Sequence, residues 1–149
     1  MKGTLQMIPA AGLVATCIGA MYMVVQLSGQ TTSPTGNFTN AVLAEVRDAQ
    51  GRVILSGPFQ SVEEEDDDVE RKAALVPTGV DTDAAGEAEV EFSKVAPANQ
   101  EVEFSIRNVS PKAAFTFVID GVDVATVTAD SRGRAKVELD VPMPGTASR

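Results

Sequence analysis

Residues 87–107, EAEVEFSKVAPANQEVEFSIR, decide the fold class, because apolar and polar side chains alternate along them on both sides of a short break. Successive side chains of a β-strand point to opposite faces, so a period of two indicates a strand with one buried face. The apolar positions are Ala88, Val90 and Phe92, and then Val102, Phe104 and Ile106. We therefore predict two neighbouring strands whose intervening glutamates face water.

The same alternation recurs through the rest of the chain from Ala41 onward, and no window there carries a sustained helical stripe. It predicts about seven or eight strands, at residues 41–47, 52–57, 71–76, 87–93, 101–107, 114–120, 122–129 and 134–141. Short strands separated by polar turns are typical of sandwiches and small barrels. We expect an all-β domain, either a single immunoglobulin-like antiparallel β-sandwich or a small barrel, and the pattern does not separate the two.

Turn signals lie between these runs. The pattern Asp-x-x-Gly occurs at Asp48–Gly51, Asp83–Gly86 and Asp130–Gly133, and Asp120-Gly121 separates two apolar runs. An Asp carboxylate caps a type I turn, and Gly takes the left-handed conformation that closes a hairpin. All four are predicted to be hairpin turns.

The N-terminal part has a different composition, because no charged residue follows Lys2 until Glu45. Residues 7–27, MIPAAGLVATCIGAMYMVVQL, are long and apolar enough to cross a hydrocarbon core of ~30 Å as a helix. Three interpretations stay open: an uncleaved membrane anchor, a cleaved signal peptide, and a lipoprotein signal with Cys17 as the acylated residue.

We accordingly divide the chain into a membrane anchor or signal segment at 1–27, a flexible polar linker at 28–40, a β domain at 41–142 and a disordered tail at 143–149. Lys2 precedes the apolar segment and the acidic part follows it, which favours a cytoplasmic N-terminus. We expect a single-pass protein of the cell membrane with a periplasmic or extracellular domain; the alternative is a secreted protein.

The composition excludes several function classes. The chain has no His, one Cys and a net charge of −9. It therefore lacks the residues for a Ser-His-Asp triad, a histidine metal site or an internal disulfide, and its acidity disfavours nucleic acid. Ser93 and Lys94 would point to opposite faces of a strand, so they cannot form a catalytic dyad. We expect no enzymatic activity and no cofactor.

Two groups of acidic residues are candidate sites. The first is the run Glu63, Glu64, Glu65, Asp66, Asp67 and Asp68. One interpretation is a solvated, mobile loop, and the other is an electrostatic contact for a basic partner, divalent ions or a cationic envelope polymer. The second is Asp81 and Asp83, which occupy positions one and three of a sequence similar to a calcium loop. Ala85 and Phe92 stand where that loop needs oxygen ligands, so a hairpin turn is the competing interpretation.

Residues 75–90, LVPTGVDTDAAGEAEV, lead from an acidic turn into a strand, and a second strand follows near residues 100–109. This part, about residues 71–120, resembles chordin-type CHRD domains and related bacterial exported β domains. The histidine-containing segment of that family is absent here. The resemblance implies an extracellular immunoglobulin-like β fold with a binding or structural role, and it transfers no functional residue.

These observations predict a non-catalytic interaction or structural module of the cell envelope, tethered through residues 7–27 or secreted. One alternative is an assembly subunit that pairs through its first or last strand. Another is a calcium-dependent binding domain that uses Asp81 and Asp83.

Overall fold

The computed structural model describes residues 34–65, 67–95 and 99–144, and within these ranges the regular structure consists of antiparallel strands. The strands are β1 (Leu43–Asp48), β2 (Val53–Pro58), β3 (Gln60–Glu65), β4 (Asp68–Pro77), β5 (Ala85–Ser93), β6 (Asn99–Arg107), β7 (Ala114–Ile119), β8 (Val122–Thr128) and β9 (Ala135–Pro142). The predicted all-β class is confirmed.

The strands form one curled sheet in the order β8-β7-β1-β2-β4-β5-β6-β9, and β3 pairs with β4 beside this path. The first and last strands of the order, β8 and β9, contact each other, so the sheet is nearly closed and barrel-like. The structure therefore selects the barrel-like alternative. Because β1 is paired on both sides, with β2 and with β7, it is not a free edge for pairing with another chain.

Strand β3 was not predicted from the sequence. It continues β2, because Leu55↔Pro77 and Gln60↔Lys72 place both strands against β4 in one register. The acidic run was expected to be a loop, and this prediction is wrong for the backbone: β3 contains residues 63–65 and β4 begins at Asp68.

The core lies inside the curled sheet and is built from the alternating apolar positions. Phe104 of β6 and Phe117 of β7 come from opposite sides and stack with ring centroids 4.7 Å apart and planes inclined by 13°. Val46, Leu55 and Val102 are fully buried around them. Phe104, one of the alternating apolar residues in 87–107, is thus one member of the central aromatic pair.

The chain enters the domain earlier than the sequence indicated. Phe38, which lies in the predicted linker, is only 2% exposed and belongs to the core. The buried amide of Gln100 accepts a hydrogen bond from the Phe38 N–H (2.8 Å) and donates one to the Gly36 carbonyl. Gly36 to Asn40 are therefore part of the folded domain rather than linker.

Two of the Asp-x-x-Gly motifs form the predicted Asp-capped turn, but only Asp48–Gly51 closes a hairpin. The hairpin prediction for Asp130–Gly133 is wrong, because β8 pairs with β7 and β9 pairs with β6. The Asp48 carboxylate accepts hydrogen bonds from the Gln50 and Arg52 N–H groups, and Gly51 has a φ of 76°. Asp130 accepts the equivalent bonds from Arg132 and Arg134. A left-handed glycine closes each turn, as the sequence pattern requires.

The two remaining turn predictions differ in outcome. Asp120 and Gly121 have φ values of 49° and 81°, which matches the two-residue hairpin turn predicted there. The prediction at Asp83–Gly86 is wrong, because Gly86 already pairs with Leu75 inside the β4–β5 ladder. A Cβ on Gly86 would lie 2.7 Å from the Ser105 carbonyl oxygen, so this glycine permits a close approach of strands.

Residues 7–27, the predicted membrane segment, lie outside the described residues. Within the described ranges there is no helix with the length and apolarity needed to span a membrane.

Candidate functional site

The outer face of strands β4, β5, β6 and β9 aligns acidic side chains in rows. The three ladders place Glu70 opposite Glu91, Glu91 opposite Glu101, and Glu101 opposite Asp140. Directly opposed residues of an antiparallel pair have Cβ atoms about 4.5–5.5 Å apart. Each of the four strands therefore contributes one carboxylate to a row that runs across the sheet.

A second row runs parallel to the first, two residues along each strand. It places Lys72 opposite Glu89, Glu89 opposite Glu103, and Glu103 opposite Glu138. We use the name acidic face for the carboxylates of the two rows together with Asp68, at the start of β4. Its members are Asp68, Glu70, Glu89, Glu91, Glu101, Glu103, Glu138 and Asp140.

Two lysines, Lys72 and Lys136, form ion pairs with carboxylates of this face. Within the described ranges, Lys72 pairs with Glu70 and lies 3.6 Å from Glu89. On the opposite side, Lys136 pairs with Glu103 (2.9 Å) and lies 3.9 Å from Glu138. Glu91, Glu101 and Asp140, at the centre of the first row, take part in none of these ion pairs.

The electrostatics of the face follow from this arrangement. Partial burial, a hydrogen bond with Glu70 and the negative charge of Glu70 raise the pKa of Glu89 from 4.5 to about 7. Partial burial and repulsion from Glu138, Glu91 and Asp140 likewise raise the pKa of Glu101. The hydrogen bond from Lys72 lowers the pKa of Glu70, so the proton of the Glu70–Glu89 pair resides on Glu89.

A shallow cavity of about 190 Å³ opens on the face beside the first row, at the start of β4. Its acidic lining consists of Asp68, Glu91, Glu101 and Asp140, and Ser93 and Asn99 contribute polar groups. The cavity can accept a small cationic group, such as an ammonium or a guanidinium, beside these carboxylates.

Because the pKa of Glu89 is raised in the folded state, the fold binds a proton that the unfolded chain has already released above about pH 4.5. Stability is therefore expected to fall as the pH rises from about 4.5 to about 7, and Glu101 adds a change of the same sign. Glu70 and Asp130 have the opposite effect, because their pKa values are lowered in the folded state. Their contribution to the stability of the fold is therefore lost only as the pH falls below about 4.

We predict that Glu89→Gln raises the free energy of unfolding by about 1 kcal/mol at pH 8, which allows for screening of a side chain that is one-third exposed. At pH 5 the change is expected to be much smaller. Circular dichroism melts at both pH values measure this. Glu87→Gln is the control, because Glu87 faces Ala74 and Ser105 across the strands. Equal effects of Glu89→Gln at both pH values would contradict the assignment.

The structure separates the acidic residues that the sequence grouped together. Glu63, Glu64 and Glu65 lie in β3, Asp66 lies outside the described residues, Asp67 lies in the β3–β4 turn, and Asp68 joins the acidic face. Within the described ranges, no group of three or more acidic or cysteine side chains is arranged to hold a metal ion. Asp81 and Asp83, in the β4–β5 turn, are therefore not part of such a group.

Apart from Asp68, the members of the acidic face are not among the candidate site residues predicted from the sequence. Alternation predicts that Glu89, Glu91, Glu101 and Glu103 face water. It does not predict that β6 pairs with β9, whose carboxylates extend both rows across the sheet. The signal that points to the face is the recurrence of Glu at every second position of two successive strands.

Comparison of the chain with protein-family models, curated proteins and solved structures gives no match. The resemblance of residues 71–120 to chordin-type domains stays an expectation from sequence. A function is therefore inferred from the geometry of the acidic face.

Proposed function

We propose that the protein is a non-catalytic interaction module of the cell envelope whose acidic face binds a polycationic partner, either a basic protein segment or a cationic polymer. In this proposal residues 7–27 tether the domain to the membrane, and the domain faces the periplasm or the exterior. The resemblance to chordin-type domains is compatible with such a binding role.

The observation that carries the proposal is the central row of opposed carboxylates. Like charges placed directly opposite each other on neighbouring strands destabilise a sheet, by up to about 1 kcal/mol for each pair. A face that only needed to be soluble would be served by interspersed charges of both signs. A cationic partner removes the repulsion on binding, so part of the binding free energy comes from relief of this strain.

The cavity among Asp68, Glu91, Glu101 and Asp140 gives the interaction a central anchoring point. One lysine or arginine side chain of the partner would enter it and form charge-assisted hydrogen bonds with several carboxylates. Further cations of the partner would lie along the second row, beside Glu89 and Glu103. Lys72 and Lys136, at the margins, would confine the partner to the centre of the face.

Binding of an oligolysine peptide tests the proposal. The full chain is held in nanodiscs of zwitterionic lipid, and the affinity is measured by titration at about 50 and about 300 mM salt, where the Debye length is ~14 Å and ~6 Å. We expect saturable binding that weakens by about tenfold or more at the higher salt, and no binding of an oligoglutamate peptide. Absence of oligolysine binding at low salt would refute the proposal.

The tether is tested separately by the N-terminal sequence of the mature protein. A start at Met1 or Lys2 supports an anchor, and a start near Met21 or Gln30 supports secretion without a tether. A blocked N-terminus at Cys17 supports attachment through a lipid. None of these results bears on the charge of the face, so the two parts of the proposal are independently testable.

A further inference from the structure

The turns at Asp48–Gly51 and Asp130–Gly133 have the same local structure, but the strands that follow them pair differently. Arg52 Nε donates to Asp48, and Arg134 Nε and Nη2 donate to Asp130, so the two turns are held alike. After the first turn β1 and β2 stay paired, beginning at Arg47↔Val53. After the second turn the strands diverge, because β8 pairs with β7 and β9 pairs with β6.

A cavity of about 360 Å³ lies where β8 and β9 diverge, a place that we call the fork. Its lining includes three apolar residues, Ile106, Val127 and Ala135. Its rim carries Arg107, Arg134 and Lys136. A volume of this size falls at the small end of the range for pockets that hold organic ligands, about 300–1,000 Å³.

Two of the three cations that line this cavity are paired with carboxylates. Arg134 pairs with Asp130, and Lys136 pairs with Glu103 and lies 3.9 Å from Glu138, so Arg107 is the cation that remains to bind an anion. Arg107 is exposed and has no ion-pair partner in the described part of the chain. Asp130 uses Nε and Nη2 of Arg134, which leaves Nη1 outside that contact.

We infer that the fork binds a small amphipathic anion, namely a carboxylate attached to a short aliphatic chain. The aliphatic chain packs on Ile106 and Val127, and the guanidinium of Arg107 binds the carboxylate. The apolar residues of the lining disfavour a fully hydrated anion, and the basic rim disfavours a neutral or cationic molecule. This site is separate from the cavity of the acidic face, and its existence does not depend on the proposed function.

Octanoate is the probe for this inference. The full chain, labelled with ¹⁵N and held in zwitterionic nanodiscs, is titrated with octanoate, and empty nanodiscs give the correction for partitioning. We expect saturable shifts of the amide signals of Val127, Thr128 and Ala135, and no shifts at Gln50 and Gly51 in the matching turn. Octanol and sulfate are each expected to bind at least about tenfold more weakly, because each lacks one half of the recognised chemistry.

Variants decide which residues bind the anion. Arg107→Gln is expected to weaken octanoate binding about tenfold or more, as loss of a charge-assisted hydrogen bond implies. Arg134→Gln is expected to weaken it as well, whereas the matched turn variant Arg52→Gln is expected to leave it within about twofold. Unchanged octanoate affinity in a folded Arg107→Gln protein, or octanol or sulfate binding as tightly as octanoate, would overturn the inference.

Discussion

Replacing Phe104 by Ala is expected to lower the free energy of unfolding by about 3–5 kcal/mol, the range typical of a fully buried phenylalanine. Phe104 has no exposed surface and stacks on Phe117 across the interior. The substitution removes this contact and leaves a cavity that neighbouring strands cannot fill, because the ladders on both sides of β6 fix its position. Urea titration followed by circular dichroism, in zwitterionic detergent, measures the loss.

Val76→Ala is the control for this experiment. Val76 also lies in a strand of the same sheet, but its side chain is 60% exposed. Its replacement is expected to change the free energy of unfolding by no more than about 0.5 kcal/mol. A loss below about 1 kcal/mol for Phe104→Ala would show that the two sides of the curled sheet do not share a common core.

Neutralising the centre of the acidic face is expected to change binding and stability in opposite directions. The triple variant Glu91→Gln, Glu101→Gln and Asp140→Asn removes three opposed charges and keeps similar side-chain shapes. We expect it to weaken oligolysine binding by at least about tenfold at low salt, because the anchoring cavity loses most of its charge. We also expect the free energy of unfolding to rise by about 1 kcal/mol as the repulsion disappears.

The matched control carries the same change in net charge elsewhere. Asp81→Asn, Asp83→Asn and Asp123→Asn lie in the β4–β5 turn and in β8, away from the acidic face. This variant is expected to keep oligolysine affinity within about threefold. If both triple variants weaken binding equally, the peptide responds to net charge alone, and the acidic face is not a specific surface.

Local pattern was sufficient to predict most of the fold. Alternation located eight of the strands, and the left-handed glycines at Gly51 and Gly133 were recognisable from their Asp-x-x-Gly context. The predictions from sequence failed where contacts between residues far apart in the chain determine the structure. Strand β3 forms because β4 extends far enough to pair with it, and Phe38 is buried because Gln100 holds the preceding chain in place.

The candidate sites were less predictable than the fold, because both depend on which strands become neighbours. The outward direction of Glu101 and Glu103 follows from alternation, but their position beside Asp140 and Glu138 follows from the pairing of β6 with β9. The acidic run indicates Asp68 by its charge density, and Asp68 lines the cavity of the acidic face. The cavity between β8 and β9 exists because β8 pairs with β7 whereas β9 pairs with β6.

The most direct test of the central claim is to map the oligolysine contact on the full chain by NMR. Amide signals of β4, β5, β6 and β9 are followed during the titration at low salt, together with those of β1, β7 and β8. The largest shifts are predicted at Glu91, Glu101 and Asp140, with little change on the opposite side of the sheet. Shifts spread evenly over the surface, or centred on the β4–β5 turn, would contradict the claim that the acidic face is the binding surface.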